Sequence, residues 1–180
     1  MRTVQPIRDK EKIAAMKAEL LKTGRRNWFL FVFGINTGLR ISDILNLKVK
    51  DVKGKSHLII YEQKTGKYKR FKINRELQQH ILSYTANMDD EEYLFKSLRS
   101  PFPIKRIQAY KILNRAAKKI GISEIGTHTL RKTFGYHFYQ RTKDVALLQE
   151  IFNHSSPSIT LRYIGINQDI IDNAIDNFSL

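Results

Sequence analysis

Apolar residues recur every three or four positions through most of the chain, which is the spacing of one face of an α-helix. Near the N-terminus Ile13, Met16 and Leu20 follow this spacing, and Gly24 ends the pattern. The same reasoning predicts helices over residues 7–22, 26–37, 42–47, 74–86, 103–120, 128–140, 145–153 and 158–164. A last amphipathic helix is predicted over about residues 167–177, with apolar positions at Ile170, Ile171, Ala174, Ile175 and Phe178.

One part of the chain has the pattern of a β-hairpin. Two strand-like runs, residues 57–61 and 68–73, flank the polar, glycine-containing turn at 62–67. No internal repeat or low-complexity segment interrupts the helical pattern, and 180 residues suit one domain with a sizeable core. We therefore predict a mostly α fold with a small antiparallel β-sheet, of the α+β class.

The net charge of the chain indicates which class of ligand it binds. Its 32 Lys and Arg residues outnumber 17 Asp and Glu, which gives a formal net charge of +15 and a pI near 10.0. Such an excess favours a polyanion, and we predict double-stranded DNA as the partner. Charge alone leaves open an RNA-binding protein or a basic protein that is merely highly soluble.

Composition also bears on the cellular environment. Cysteine is absent, so disulfides and thiolate metal sites are excluded. Residues 1–12 lack the apolar core of a signal peptide, and the longest apolar stretch, residues 28–33, is too short to span a bilayer. We expect a soluble, cytoplasmic protein that does not enter a membrane.

Several side chains of the kinds used in phosphoryl transfer lie near predicted helix ends. Guanidinium groups stabilise negative charge on a pentacoordinate phosphorus, imidazoles transfer protons near neutral pH, and a phenol oxygen can attack phosphorus. Arg131 follows His128 by one helical turn, so one face of a helix presents both. The candidate catalytic residues are Arg40, Lys64, His128, Arg131, His154 and Tyr163.

Each candidate has an ordinary structural explanation when it is taken alone. The arginines can be surface charges, His128 an N-terminal capping residue and His154 a contact at a helix C-terminus. Tyr163 is one of eight tyrosines and suits a core position, while Lys64 suits a solvated turn. Only the combination of these residues favours a catalytic site.

The sequence favours a reaction that uses no metal ion or cofactor. The five histidines show no close ligand pairing, and no carboxylate cluster has the spacing of a two-metal site. Neither a GxxxxGK[ST] nor a GxGxxG motif occurs. Transesterification without a metal is therefore the better chemical fit than a metal-dependent nuclease or polymerase.

In combination, these residues resemble the catalytic domain of the tyrosine recombinases, also called the phage integrase family. Their order and spacing agree with the family, including the eight residues between His154 and Tyr163. The resemblance covers nearly the whole chain and implies the integrase catalytic-domain fold. The matching motifs are Thr37-Gly38-Leu39-Arg40-Ile41-Ser42-Asp43, Lys64-Thr65-Gly66, His128-Thr129-Leu130-Arg131-Lys132-Thr133-Phe134, Asn153-His154-Ser155 and Arg162-Tyr163.

The resemblance implies a role for each charged residue that would hold the phosphate. Arg40 and Arg131 would clamp the scissile phosphate. Asp43, at the family's acidic position, would orient Arg40. His154 would hydrogen-bond a phosphate oxygen.

The resemblance likewise implies the covalent chemistry. Tyr163 would form a 3′-phosphotyrosyl intermediate, and His128 would assist proton transfer at the tyrosine. Lys64 would act as the general acid for the 5′ hydroxyl. The implied activity is DNA cleavage and rejoining in site-specific recombination or DNA integration.

The family comparison also gives expectations about organisation. We expect residues 1–180 to form a single catalytic domain, without the N-terminal helical domain that usually completes the family's DNA clamp. Recombination implies self-association as a tetramer on two DNA sites, and the predicted C-terminal helix is the candidate element for exchange between subunits. Two other functions stay open: DNA relaxation of the type IB topoisomerase kind, and a non-catalytic basic DNA- or RNA-binding module.

Overall fold

A computed structural model of the chain describes residues 4–62, 66–123, 125–166, 172–173 and 175–179. Helices dominate it, and one two-stranded antiparallel sheet lies among them. No helix in these ranges is long and apolar enough to cross a membrane. In chain order the elements are α1 (Lys10–Lys22), α2 (Arg25–Thr37), α3 (Ile41–Leu45), α4 (Val49–Val52), β1 (His57–Glu62), β2 (Lys67–Lys72), α5 (Arg75–Tyr84), α6 (Arg106–Lys119), α7 (Thr129–Thr142), α8 (Val145–Phe152) and α9 (Pro157–Ile164).

The large core forms around α2, which packs against α1, α5 and α7. Phe29 and Phe33 of α2 are fully buried, and Phe29 stacks on Tyr84 with 4.3 Å between the ring centroids. Phe95 completes this aromatic group at 5.7 Å from Phe29. The continuous apolar run of α2 is thus explained by burial around most of the helix.

A smaller cluster joins α7, α8 and α9. Its buried members are Leu148, Phe152, Ile164 and Ile166, with partly buried aromatic residues of α7 beside them. Gly135 of α7 permits this packing, because a Cβ there would lie 2.7 Å from side-chain atoms of both Phe152 and Ile164. The last helices can therefore approach α7 closely.

The hairpin is joined to the small cluster by one lysine. In the sheet, Ile60 of β1 pairs with Lys69 of β2. The Lys69 ammonium donates hydrogen bonds to the main-chain oxygens of Glu150, at 3.2 Å, and of Ile151, at the C-terminus of α8. A cation is favourable there because carbonyl groups at a helix end lack partners within the helix.

The predicted α+β fold class is confirmed, and its elements differ in detail. The helix predicted from Ser42 begins at Ile41 with Arg40 as its N-cap, and α4 was not predicted. The helix predicted from Pro103 begins at Arg106, because Pro103 instead forms a β-bridge with Lys96. Most of the predicted helix at 167–177 falls outside the described residues.

Candidate active site

Arg40 is positioned by the turn between α2 and α3. Gly38 ends α2 with a positive φ of 63°, and a Cβ there would overlap the Phe134 ring. Both the backbone conformation and the available space therefore require glycine. Arg40 follows in an extended conformation. Its Nη1 lies 4.0 Å from Oδ2 of Asp43, a carboxylate that is almost wholly buried. A carboxylate at this distance can hold the guanidinium in one orientation, and the orienting role of Asp43 stays a prediction.

Arg131 is held rigidly from two sides. It is buried on α7, and its Nη1 donates a 2.6 Å hydrogen bond to the carbonyl oxygen of Gly38. Its Nη2 donates at 2.9 Å to the carbonyl oxygen of Phe152, whose ring lies 4.2 Å from the guanidinium carbon. A planar fork fixed in this way is preorganised to bind an anion.

Tyr163 of α9 brings a phenol oxygen to this cationic region. Its Oη lies 3.4 Å from Nδ1 of His128, the residue that caps the N-terminus of α7. The Tyr163 ring is half-buried and packs at right angles to Phe152 and His154, at 5.6 and 5.1 Å between centroids. An imidazole, a group that exchanges protons near neutral pH, is therefore next to the Tyr163 oxygen.

His154 is placed by the turn between α8 and α9. Asn153 ends α8 in the left-handed conformation, and the His154 amide donates to the carbonyl oxygen of Gln149 at 3.0 Å. The ring Nδ1 lies 3.0 Å from the hydroxyl of Thr160. The contact with Thr160 fixes the orientation of the imidazole ring.

The electrostatics of Tyr163 follow from this setting. Burial raises the pKa of its phenol, while the charges of Arg131 and Arg40 and a hydrogen bond from Arg131 oppose that rise. The net direction is upward, so the resting side chain is a neutral phenol. A neutral phenol must lose its proton to act as a nucleophile.

The structure thus brings together five of the six candidate catalytic residues. The sixth, Lys64, falls in the segment 63–65, outside the described residues, and its role stays a prediction. The hairpin that carries it is joined to α8 through Lys69, just before the turn that holds His154. Within the described ranges, no group of three or more His, Asp or Glu side chains could hold a metal ion.

Sequence reasoning missed two residues of this site. Phe152 contacts Arg131, His154 and Tyr163 at once, but a lone Phe in an apolar helix gives no signal beyond core packing. Lys132 is buried, and its ammonium lies 5.0 Å from the centroid of the Tyr163 ring. Its place directly after Arg131 was the only available sign.

Comparison with known proteins agrees with this geometry. The model of the phage integrase family matches residues 9–169, and the chain belongs to that family.

Individual relatives extend the comparison. A probable integrase/recombinase of Bacillus subtilis, YoeC, is 62% identical over 169 residues, which are 94% of this chain and 93% of that protein. Tyrosine recombinase XerA of Pyrococcus furiosus is 30% identical over 155 residues, 84% of this chain. This chain spans only 53% of that XerA.

A solved structure gives the same fold. The crystal structure of the XerH site-specific recombinase bound to its palindromic difH substrate has a TM-score of 0.76 to this chain, at 20% identity. The match covers 98% of this chain and 54% of that one. At this identity the likeness supports the fold.

Proposed function

We propose that this protein cleaves and rejoins double-stranded DNA through Tyr163 in site-specific recombination. The observation that carries the proposal is the placement of the Tyr163 oxygen 3.4 Å from His128, beside Arg131. Family membership supports it, and the XerH recombinase of similar fold was crystallised with its palindromic difH substrate. The net charge of +15 supplies the long-range attraction to DNA.

In the proposed reaction, the Tyr163 oxygen attacks the scissile phosphorus while its proton passes to His128. The bond from phosphorus to the 5′ oxygen breaks, and Lys64 donates a proton to that oxygen. The product is a 3′-phosphotyrosyl linkage and a free 5′ hydroxyl. Attack by a 5′ hydroxyl of another strand reverses these steps and rejoins the DNA.

The remaining residues stabilise the charge that develops on phosphorus. Arg40 and Arg131 bind the non-bridging oxygens, and His154 hydrogen-bonds one of them. Asp43 keeps Arg40 in orientation. Because fixed guanidinium groups stabilise this charge, the proposed mechanism assigns no step to a metal ion or cofactor.

The assembly follows from the proposed reaction. Exchange between two DNA sites requires four active subunits, so we expect a tetramer on DNA. Ile175 and Phe178, in the described part of the C-terminal segment, expose more than 60% of their surface. Such apolar side chains are suited to contact a neighbouring subunit.

The decisive experiment uses a nicked suicide substrate, which traps the covalent intermediate. Wild-type protein should give a protein–DNA adduct on denaturing gels, and Tyr163→Phe should give none while binding DNA within about threefold. Tyr139→Phe is the matched control, since Tyr139 belongs to the same cluster and should leave the adduct unchanged.

Two outcomes would contradict the proposal. An adduct that persists in Tyr163→Phe would move the nucleophile elsewhere. Binding of DNA with no adduct from wild-type protein would favour a non-catalytic module. Relaxation of a supercoiled plasmid without recombinant products would keep the chemistry but indicate an enzyme of the type IB topoisomerase kind.

A further inference from the structure

Lys132 occupies an unusual position for a lysine. It lies on α7 directly after Arg131 and exposes only 7% of its surface. Its ammonium lies over the face of the Tyr163 ring, 5.0 Å from the centroid. Burial lowers the pKa of Lys132, as expected for a cation removed from water.

The ion pairs found among the described residues give Lys132 no carboxylate partner. A buried ammonium is costly unless an anion or another electron-rich group compensates it. The face of an aromatic ring provides part of that compensation, and a phenolate provides much more. An apolar side chain at this position would avoid the cost, so packing alone does not explain a lysine here.

The surroundings of the Tyr163 ring define what Lys132 can do. Phe152 and His154 contact the ring at right angles, and His128 lies at the hydroxyl. Lys132 adds a formal positive charge over the ring face. A cation there fixes the tilt of the ring and favours negative charge on its oxygen.

We propose that Lys132 is a positioning residue for the nucleophile, which holds the Tyr163 ring by its face and stabilises the phenolate as the proton leaves. This proposal rests on the proposed function of Tyr163. The partner is the nucleophile itself, so Lys132 acts through Tyr163 and makes no direct bond to the phosphate. The proton still passes from Tyr163 to His128, and no further reactant is needed.

The test compares Lys132→Met, which keeps an unbranched side chain one atom shorter and removes the charge, with Lys132→Arg, which keeps the charge. Single-turnover cleavage of the nicked substrate and DNA affinity are measured for each. Lys132→Met should cleave at least tenfold more slowly with DNA affinity within about threefold, and Lys132→Arg should recover most of the rate. Lys143→Met is the matched control, because Lys143, the C-cap of α7, lies 5.6 Å over the ring of Tyr139 in that helix.

The pH dependence separates a charge effect from a packing effect. Besides Lys132, the charged or titratable groups around Tyr163 are Arg40, His128, Arg131 and His154. A nearby cation favours loss of a proton from either member of the Tyr163–His128 pair. Lys132→Met should therefore need a higher pH, by half a unit or more, to reach its maximal rate, whereas Lys132→Arg should keep the wild-type profile.

Each result decides the proposal. A wild-type rate and profile in Lys132→Met overturns it while the proposed function stands. A slow Lys132→Met with an unshifted profile, or a Lys132→Arg that shifts in the same way, reduces Lys132 to a packing residue. If Lys132→Met does not fold, the profile of Lys132→Arg decides. If wild-type protein forms no adduct, the proposed function fails and the inference falls with it.

Discussion

The two apolar regions of the molecule differ in size and in what they hold. The large core extends from Ile7 to Leu130 and includes α2 with its aromatic neighbours. The small cluster consists of α8, α9 and one side of α7, around a few buried residues such as Phe152 and Ile164. Arg40 belongs to the large region, whereas Tyr163 and His154 belong to the small one.

In the proposed mechanism, this division separates Arg40, which binds the phosphate, from Tyr163, which attacks it. The large core can fix Arg40 through many contacts, since buried apolar area is the main source of stability. The nucleophile depends on a few contacts in the small cluster. Arg131 joins the two regions, because its guanidinium donates to Gly38 on one side and to Phe152 on the other. We therefore expect cleavage to be most sensitive to changes in the small cluster and at Arg131.

The largest effect is expected for Arg131→Ala. It removes a stabiliser of the transition state, so single-turnover cleavage should fall about a hundredfold or more. It also leaves two main-chain carbonyls without their donor, which should cost about 1–3 kcal/mol each in free energy of unfolding. Arg40→Lys is the comparison: it keeps the charge near Asp43 and should slow cleavage at least tenfold with little change in stability. A fast-cleaving Arg131→Ala protein would contradict the assigned role.

The next prediction compares the same substitution, Phe to Ala, in the small cluster and in the large core. Phe152→Ala and Phe95→Ala each remove a fully buried ring and should each cost about 3–5 kcal/mol in free energy of unfolding. Only Phe152 contacts Tyr163, so only Phe152→Ala should also slow cleavage, by about tenfold, at a temperature where both proteins are folded. Equal cleavage rates in the two variants would show that the small cluster does not position the nucleophile.

These two regions also differ in how far the sequence predicts them. In the large region, helical periodicity and the turn at 62–67 predict most elements, and the helix predicted from residue 74 is α5, with Asn74 as its N-cap. The predicted N-cap of α3 was wrong by two residues: Ser42 is a good N-cap by residue type, but Arg40 takes that position. Tertiary contacts, here the burial of Asp43 beside Arg40, override the local preference.

In the small region, motif order predicts which residues meet but not what surrounds them. His128 and Tyr163 are 35 residues apart, and their proximity was expected from the family resemblance alone. Lys132 looks like an exposed charge in sequence, since α9 covers it only in the folded chain. No local pattern encodes a contact between helices so distant in sequence, which is why Lys132 and Phe152 were missed.

A smaller loss of cleavage rate is expected when one methyl group is added to the packed interior of each region by a Gly to Ala substitution. Gly34→Ala would place a Cβ 2.6 Å from Leu130 in the large core, and Gly135→Ala would place one 2.7 Å from Ile164 and Phe152. Each should lower the free energy of unfolding by about 1–3 kcal/mol. Gly135→Ala should also slow cleavage several-fold, because Ile164 is adjacent to Tyr163, while Gly34→Ala should leave cleavage unchanged. The opposite pattern of rates would reverse the roles of the two regions.

The smallest change in cleavage rate is expected for the segment before α1. This segment joins the large core to the C-terminal end of α9, the helix that carries Tyr163. The Ile7 amide donates to the hydroxyl of Thr133 at 2.9 Å, and Arg8 donates at 3.0 Å to the carbonyl oxygen of Gly165, the C-cap of α9. Because Gly165 follows Tyr163 by two residues, this contact limits the movement of α9.

Arg8→Met should therefore slow cleavage two- to threefold and lower the free energy of unfolding by about 1 kcal/mol or less. Arg25→Met is the matched control, since Arg25 donates a similar 3.0 Å hydrogen bond to the carbonyl oxygen of Ser83 in the large region. Both variants lose one positive charge, so non-specific DNA binding should weaken equally. Single-turnover rates at saturating protein then report the position of Tyr163 alone. If Arg25→Met slows cleavage as much as Arg8→Met, the loss of charge explains both results and the N-terminal segment does not position α9.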